Sequence, residues 1–342
     1  MKAWIVPKGC QKLEDLRMEE RATPTPGPTQ ILARMHAASL NYRDQLVVTG
    51  GYFGGTAQRD TVPLSDGAGE VVAAGSEVTR FKVGDRILST FFQNWVDGPP
   101  TPEPRPAIGA PMDGVLAENV LFDQRDAVAM PSNLSFEEGA TLSCAGVTAW
   151  HALMIHCAVK PGDSVLVLGT GGVSIFALQL ARLAGARVYM TSSSDEKLER
   201  GRTLGASGLI NYKRTPEWDK EVLRLTEGRG VNYVVEVGGP GTLARSMQSV
   251  AYAGKIALIG VLAGFQGDTN PHPLMRKGAS LQGIFVGNRA MLERLCAAIE
   301  ANRMRPVVDK VFDFDQALDA YRYQQSGAHF GKVVIRIQGE SA

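Results

Sequence analysis

The spacing of apolar residues changes character along the chain. Up to about residue 130 they come in short runs broken by proline and glycine. Residues 3–6, 31–38, 69–74 and 86–90 each read as a strand. Thr23-Pro24-Thr25-Pro26-Gly27-Pro28 reads as a rigid connector, and Val83-Gly84-Asp85-Arg86 as a turn entering a strand. Residues 97–111 hold six prolines and read as a loop. Ser135-Phe136-Glu137-Glu138 is a capping box that predicts a helix start. From there short apolar runs alternate with helical spacing. The predicted strands are 164–168, 187–190, 208–211, 233–236, 255–259 and 281–285, a sequence of elements that describes a doubly wound parallel sheet. A helix over 290–301 follows. Residues 305–337 then hold a short strand, a helix around 316–323 and a last strand at 332–337, a mixed pattern that could return to the first domain. The expectation is an α/β protein with a β-rich domain over 1–130, a doubly wound domain over 131–288 and a return segment over 289–342.

The stretch that organises this pattern is Val165-Leu166-Val167-Leu168-Gly169-Thr170-Gly171-Gly172-Val173-Ser174. Four apolar residues enter a glycine turn. Val173, Phe176, Ala177, Leu180, Leu183 and Ala184 then line one helical face. Gly169 lets the chain reverse. Gly171 and Gly172 carry no side chain, so a pyrophosphate can approach the backbone, and the helix near Val173 directs its free amides and positive dipole end at it. Ser174 stands where the G-x-G-x-x-G pattern has its third glycine, and serine is small enough for helix to pack on strand.

Composition narrows the classes. The 342 residues are 44% hydrophobic, enough for a packed core. Lys and Arg number 36 against 35 Asp and Glu, a balance that suggests neither a nucleic-acid nor a membrane surface. Cys10, Cys144, Cys157 and Cys296 are scattered, which fits neither a disulfide framework nor a metal cluster and suits a reducing compartment. The first residues lack the apolar core of a signal peptide, and no run is apolar enough to span a bilayer. The expectation is a cytoplasmic protein.

Asn41-Tyr42-Arg43-Asp44, Gly69-Glu70-Val71-Val72, Val83-Gly84-Asp85-Arg86, Gly146-Val147-Thr148-Ala149 and Gly331-Lys332-Val333-Val334 fall in order around the glycine turn. In this order they resemble the medium-chain dehydrogenase/reductase superfamily, most closely its zinc-independent quinone oxidoreductase and enoyl reductase branch. The resemblance covers nearly the whole chain and implies a GroES-like catalytic domain beside a Rossmann domain. Zinc alcohol dehydrogenases of this superfamily carry a catalytic cysteine, a His-Glu pair and a third ligand. Here Asn41 stands at the first position, Ser65-Asp66 at the pair, and only Cys144 at the third. One thiolate does not hold a catalytic zinc, so no metal is expected. His36, His151, His156, His272 and His329 show no ligand spacing and read as ordinary polar or core-edge residues.

Cofactor choice is read at the end of the second Rossmann strand. Enzymes that bind NAD place an acid there for the ribose hydroxyls. Here stand Thr191-Ser192-Ser193-Ser194, whose hydroxyls suit a 2′-phosphate that a carboxylate would repel, with Lys197 able to add charge. Ser194-Asp195-Glu196 also reads as a plain helix cap, with Lys197 solvated, and both readings can hold together. The resemblance implies Ser192, Ser193, Lys197 and Tyr212 as the 2′-phosphate pocket of NADP(H). It puts Thr148 beside the nicotinamide and its phosphates, Val261, Phe285 and Val286 around the nicotinamide ring, and Lys332 near the cofactor or substrate cleft. For Val261 and Phe285, core packing is the competing reading.

Without zinc, a carbonyl is polarised by hydrogen bonds alone. That suits hydride delivery to an enone or a quinone, where the developing charge is spread, better than to a simple ketone. The resemblance to quinone oxidoreductases implies Tyr52, eleven residues after Asn41, as a donor to a substrate oxygen; alternatively it packs for shape in the Gly50-Gly51-Tyr52-Phe53-Gly54-Gly55 loop, which could act as a lid. Asn41 is expected to orient the nicotinamide ribose or amide rather than perform chemistry. Phe91, Phe92 and Trp95 either line an apolar substrate pocket or belong to the core. Residues 281–285 are apolar and fall at a sheet edge, which a homodimer would cover, as relatives do. The partner is then a small carbonyl or quinone. The alternatives are an NAD(P)-dependent alcohol dehydrogenase or ketone reductase, and a non-catalytic NADPH-binding protein.

Overall fold

The structure is a computed structural model. It describes residues 1–338 apart from Phe53, Gly54, Pro104, Phe265, Asp268 and Thr269. Part of the expected lid (Phe53 and Gly54) and one residue of the proline-rich loop (Pro104) therefore lie outside the described residues. In chain order the strands are β1 (Lys2–Ile5), β2 (Arg17–Glu20), β3 (Gln30–Ser39), β4 (Asp66–Ala74), β5 (Arg86–Ser89), β6 (Asn119–Asp123), β7 (Ala127–Ala129), β8 (Ser164–Leu168), β9 (Arg187–Ser192), β10 (Gly208–Asn211), β11 (Val231–Glu236), β12 (Val250–Leu258), β13 (Ser280–Gly283), β14 (Val308–Asp313) and β15 (Lys332–Arg336). The chain divides into two compact units, Met1–Val147 with Gly287–Ala342, and Thr148–Val286.

In the first unit the main sheet runs β14-β15-β3-β4-β5-β7, with β6 also on β3. The C-terminal β15 pairs antiparallel with β3, Val334 opposite Ser39, and β3 pairs antiparallel with β4, Ser39 opposite Asp66. This register brings the start of β15, the end of β3 and the start of β4 to one end of the sheet. β2, β6 and β7 were not anticipated as strands. β2 reads Arg-Met-Glu-Glu and is nowhere fully buried, so no apolar run announces it. A helix over Tyr42–Thr49 was also not anticipated; Gly50, taken for part of a lid, is its left-handed C-cap at φ 72°.

The expected domain break near residue 130 falls at 147/148. The Ser135 capping box forms, with Glu138 N donating to Ser135 Oγ at 3.3 Å. The helix behind it is tied to the first sheet, since Ser39 Oγ donates to the Ala140 carbonyl at 3.0 Å and Cys144 N donates to Asp66 Oδ2 at 3.0 Å. Two segments here, Leu142–Gly146 and His151–Cys157, are π-helical, a form concentrated at functional positions.

The second unit is a parallel sheet ordered β10-β9-β8-β11-β12-β13. The order reverses between β8 and β11, and ligands of such sheets bind beyond the carboxyl ends of the strands at that reversal. All five residues of β8 are buried, as a strand covered on both faces requires. At the opposite edge β13 is shorter and more polar than expected. It spans Ser280–Gly283 with all four residues exposed, and Phe285 beyond it is 49% exposed.

Candidate active site

In the second unit, β8 ends at Leu168 and the helix Gly172–Leu183 begins four residues later. Gly169 turns the chain at φ 73°, a conformation that glycine adopts without a Cβ penalty. Gly171 differs. Its backbone is ordinary, φ −76° and ψ 179°, and a Cβ built there would meet no atom within 4 Å. Neither backbone nor packing demands a glycine at 171, so its bareness leaves room above the helix N-terminus. Ser174, at the third-glycine position, is buried and its hydroxyl donates back to the Leu168 carbonyl at 2.6 Å.

At the end of β9, Ser192 is buried and Ser193 half-buried. Ser192 accepts twice: its hydroxyl from Ser194 N at 3.3 Å and its carbonyl from Tyr212 N at 3.0 Å. Ser192 and Tyr212 thus lie together, and the Tyr212 ring is 41% exposed. Ser194 caps the next helix by accepting from Lys197 N at 3.3 Å. Two acids, Asp195 and Glu196, follow in the first turn of that helix, and Asp195 is turned to Asn211 Nδ2 at 2.8 Å and Arg214 Nη2 at 2.5 Å. Of the residues expected at the nicotinamide end, Thr148 is buried, Val261 packs against the bare Gly239, and Val286 is buried at φ 55°. The space above Gly171 at the helix N-terminus fits the pyrophosphate of a dinucleotide.

In the first unit, strand register decides the chemistry. Lys332 opens β15, Asn41 follows β3 by two residues, and Asp66 opens β4. The buried Lys332 ammonium donates to Asn41 Oδ1 and to the Leu40 carbonyl, each at 2.6 Å, and sits 3.9 Å from Asp66 Oδ2. Asp66 also accepts from Ser65 Oγ at 2.7 Å. Asn41 N donates to Asp44 Oδ2 at 2.7 Å, which holds the helix Tyr42–Thr49 at the same point. Burial pushes both carboxyls up, Asp44 to about 6, against the pull of Arg43 on Asp44 and of Lys332 on Asp66. The Arg43 guanidinium lies between two rings, 4.9 Å from the centroids of Tyr52 and Phe91, and donates to the carbonyls of Ile108 at 2.8 Å and Ala110 at 3.1 Å. Phe91, Phe92 and Trp95 are buried among one another.

Comparison with known proteins accounts for both units. The family described as alcohol dehydrogenase GroES-like domain matches residues 27–132, and zinc-binding dehydrogenase matches residues 172–301. A zinc-type alcohol dehydrogenase-like protein of Schizosaccharomyces pombe is 45% identical over 98% of this chain and 99% of its own. The chain belongs to the medium-chain dehydrogenase/reductase superfamily. Among solved structures, an alcohol dehydrogenase candidate from Sinorhizobium meliloti 1021 superposes with a TM-score of 0.89 at 40% identity, covering 98% of this chain and 100% of that one. A quinone oxidoreductase of Pseudomonas syringae pv. tomato DC3000 gives 0.83 at 26% identity over 98% and 100%. This medium-chain dehydrogenase/reductase is therefore an oxidoreductase on a nicotinamide-nucleotide fold.

The superfamily name raises zinc, and the residues do not fit it. The Lys332 ammonium already stands against Asn41 and Asp66, where a metal cation would be repelled. Of the three ligand positions only Cys144 carries a thiol, and one thiolate does not hold a catalytic zinc. Among the described residues, no group of three His, Cys, Asp or Glu side chains is arranged to hold a metal ion. Tyr52, by contrast, suits donation. Burial raises its phenol further above neutrality, the nearby Arg43 pulling the other way, so it stays protonated.

Sequence reasoning gave no role to Arg43, Asp44 or Glu236. Glu236, at the end of β11, is fully buried and accepts from Gly238 N at 2.7 Å, Gly239 N at 2.9 Å and Thr242 Oγ1 at 2.6 Å, and from the Ser246 hydroxyl. The visible signal was a carboxylate just before Gly238-Gly239-Pro240, a helix opening with Pro at its first position.

Proposed function

We propose that this enzyme is a zinc-free NADPH-dependent reductase of quinones or α,β-unsaturated carbonyls. The observation that carries the reading is the Lys332–Asn41–Asp66 contact. It sets a buried ammonium against Asn41 and Asp66, the residues that the resemblance aligns with zinc-ligand positions, and supports hydrogen bonds as the means of polarising a substrate oxygen. The quinone oxidoreductase among the structural relatives supports the same substrate class. When bound, the dihydronicotinamide supplies the hydride. Gly169, Gly171, Gly172 and Val173 admit the pyrophosphate, and Ser192, Ser193, Lys197 and Tyr212 hold the 2′-phosphate. Thr148, Val261, Phe285 and Val286 border the nicotinamide. Asn41, held by Lys332, orients its ribose or amide. Tyr52 donates its proton to the substrate oxygen as charge develops there.

The enzyme is proposed to be a homodimer, because β13 is an exposed edge strand and the same unit exposes the large apolar side chains of Tyr252 (73%) and Met275 (74%). Among the described residues no helix is long and apolar enough to cross a membrane. The four cysteines are free thiols, which fits the cytoplasm.

The test is product analysis with NADPH and a simple enone. A saturated ketone is the expected product. An allylic alcohol would overturn the reading in favour of a carbonyl reductase, and NADPH binding without turnover on enones or quinones would favour a non-catalytic role.

A further inference from the structure

We propose that His151 is a positioning residue for cofactor binding, acting through the backbone of Val286. His151 Nδ1 lies 2.8 Å from the Val286 carbonyl oxygen. That oxygen can only accept, so the ring proton sits on Nδ1. Val286 takes a left-handed backbone, φ 55°. A β-branched residue there is an outlier, and such strain persists only where the surroundings impose it. The His151 bond fixes the direction of the Val286 carbonyl and so helps to hold the turn.

The placement of His151 is itself unusual. It opens the π-helical turn His151–Cys157 and stands three residues beyond Thr148, so both side chains leave the same side of the helix. One helical segment thereby carries a residue assigned to the nicotinamide and the residue that holds the turn assigned to border it. Burial keeps the ring below its ordinary pKa, and both the neutral Nδ1–H form and the cation donate at this atom, so the bond persists across the working pH range. Glycine at 286 would adopt the turn unaided. Valine makes the turn depend on His151.

The inference rests on the assignment of Phe285 and Val286 to the nicotinamide. The experiment compares the Kd for NADPH, its KM, and kcat in wild type, His151→Phe, His151→Asn, Val286→Gly and the Val286→Gly/His151→Phe pair. His151→Phe is expected to weaken NADPH binding about tenfold, the order of one well-placed hydrogen bond, with KM for the carbonyl substrate little changed. Asparagine reaches the same acceptor through Nδ2, so His151→Asn should recover binding to within about threefold of wild type. In the Val286→Gly background, adding His151→Phe should cost under about twofold, because glycine needs no support at φ 55°. Equal losses in Phe and Asn variants, or the same His151→Phe effect in both backgrounds, would overturn the positioning role while leaving the cofactor reading intact. Wild type that binds neither NADPH nor NADH would overturn both. If His151→Phe does not fold, His151→Asn in the two backgrounds carries the same comparison.

Discussion

The two units build their sites in opposite ways. The second makes room by leaving atoms out: Gly171 has an ordinary backbone and nothing within 4 Å of its missing Cβ. The first fills space with charge: Lys332, Asn41, Asp66 and Asp44 are buried in mutual contact at the end of a sheet. A site made by omission adds little to folding and can be damaged without unfolding anything. A site made of paired buried charges is bound up with stability, because removing one member strands another. The comparison predicts that variants of the first unit lose fold and function together, and that variants of the second lose function alone.

The largest effect is expected at Lys332. Lys332→Met leaves Asp66 buried without its cation and Asn41 Oδ1 without its donor. Breaking a buried pair on one side costs about 3–5 kcal/mol, and denaturant unfolding should show a loss in that range. Lys332→Met combined with Asp66→Asn should recover part of it, since the stranded charge is gone. A loss under about 1 kcal/mol for the single variant would mean that the cluster is hydrated rather than paired.

Gly171→Ala tests the other half. The Cβ enters open space on an extended backbone, so the melting temperature should stay within about 2 °C of wild type, the scale of a few tenths of a kcal/mol. NADPH affinity should fall by about a hundredfold, because the same Cβ stands where the pyrophosphate must approach. Unchanged affinity would remove Gly171 from the cofactor site, and a large stability loss would erase the contrast between the units.

What the sequence made legible follows the same division. The cradle is local: strand, glycines and helix stand within twenty residues, and hydrophobic spacing reveals them. The serine end of β9 was legible for the same reason. The charge cluster joins residues 41, 66 and 332, which only strand register brings together. The motifs around each were visible, but the ammonium against Asn41 was not. Nor was the helix after Asn41, whose capping acid Asp44 lay inside a motif read for its family likeness rather than its local geometry. At the edge, the apolar look of residues 281–285 misled. The strand ends at Gly283, and Phe285 stands outside it.

The first unit also carries a pH signature. Asp44 titrates near 6 when folded, against an ordinary value of 3.8. The folded state therefore binds the proton more tightly than the unfolded one, and stability from this group is full below about pH 3.8 and lost as pH rises through about 6. The difference of roughly 2 pH units corresponds to about 3 kcal/mol. Asp44→Asn keeps an oxygen for the Asn41 amide, so unfolding curves of wild type and variant should diverge over that window and run parallel above it. Curves parallel throughout would show that Asp44 titrates alike in both states.

The smallest effect separates two roles of one helix start. Lys197 gives its backbone N–H to the Ser194 cap, and that bond survives any change of side chain. If the Lys197 ammonium takes no part in nucleotide binding, Lys197→Ala should leave both nucleotides unaffected. If it meets the 2′-phosphate, NADPH binding should weaken about fivefold, the order of one partly screened charge contact, and NADH binding should not move. Asp195 sharpens the expectation. It is already engaged by Asn211 and Arg214, so losing the lysine should not free a carboxylate to bind the NADH ribose in compensation. An equal fall for both nucleotides would instead place Lys197 on the shared part of the molecule, near the pyrophosphate, and would return the choice of cofactor to Ser192, Ser193 and Tyr212.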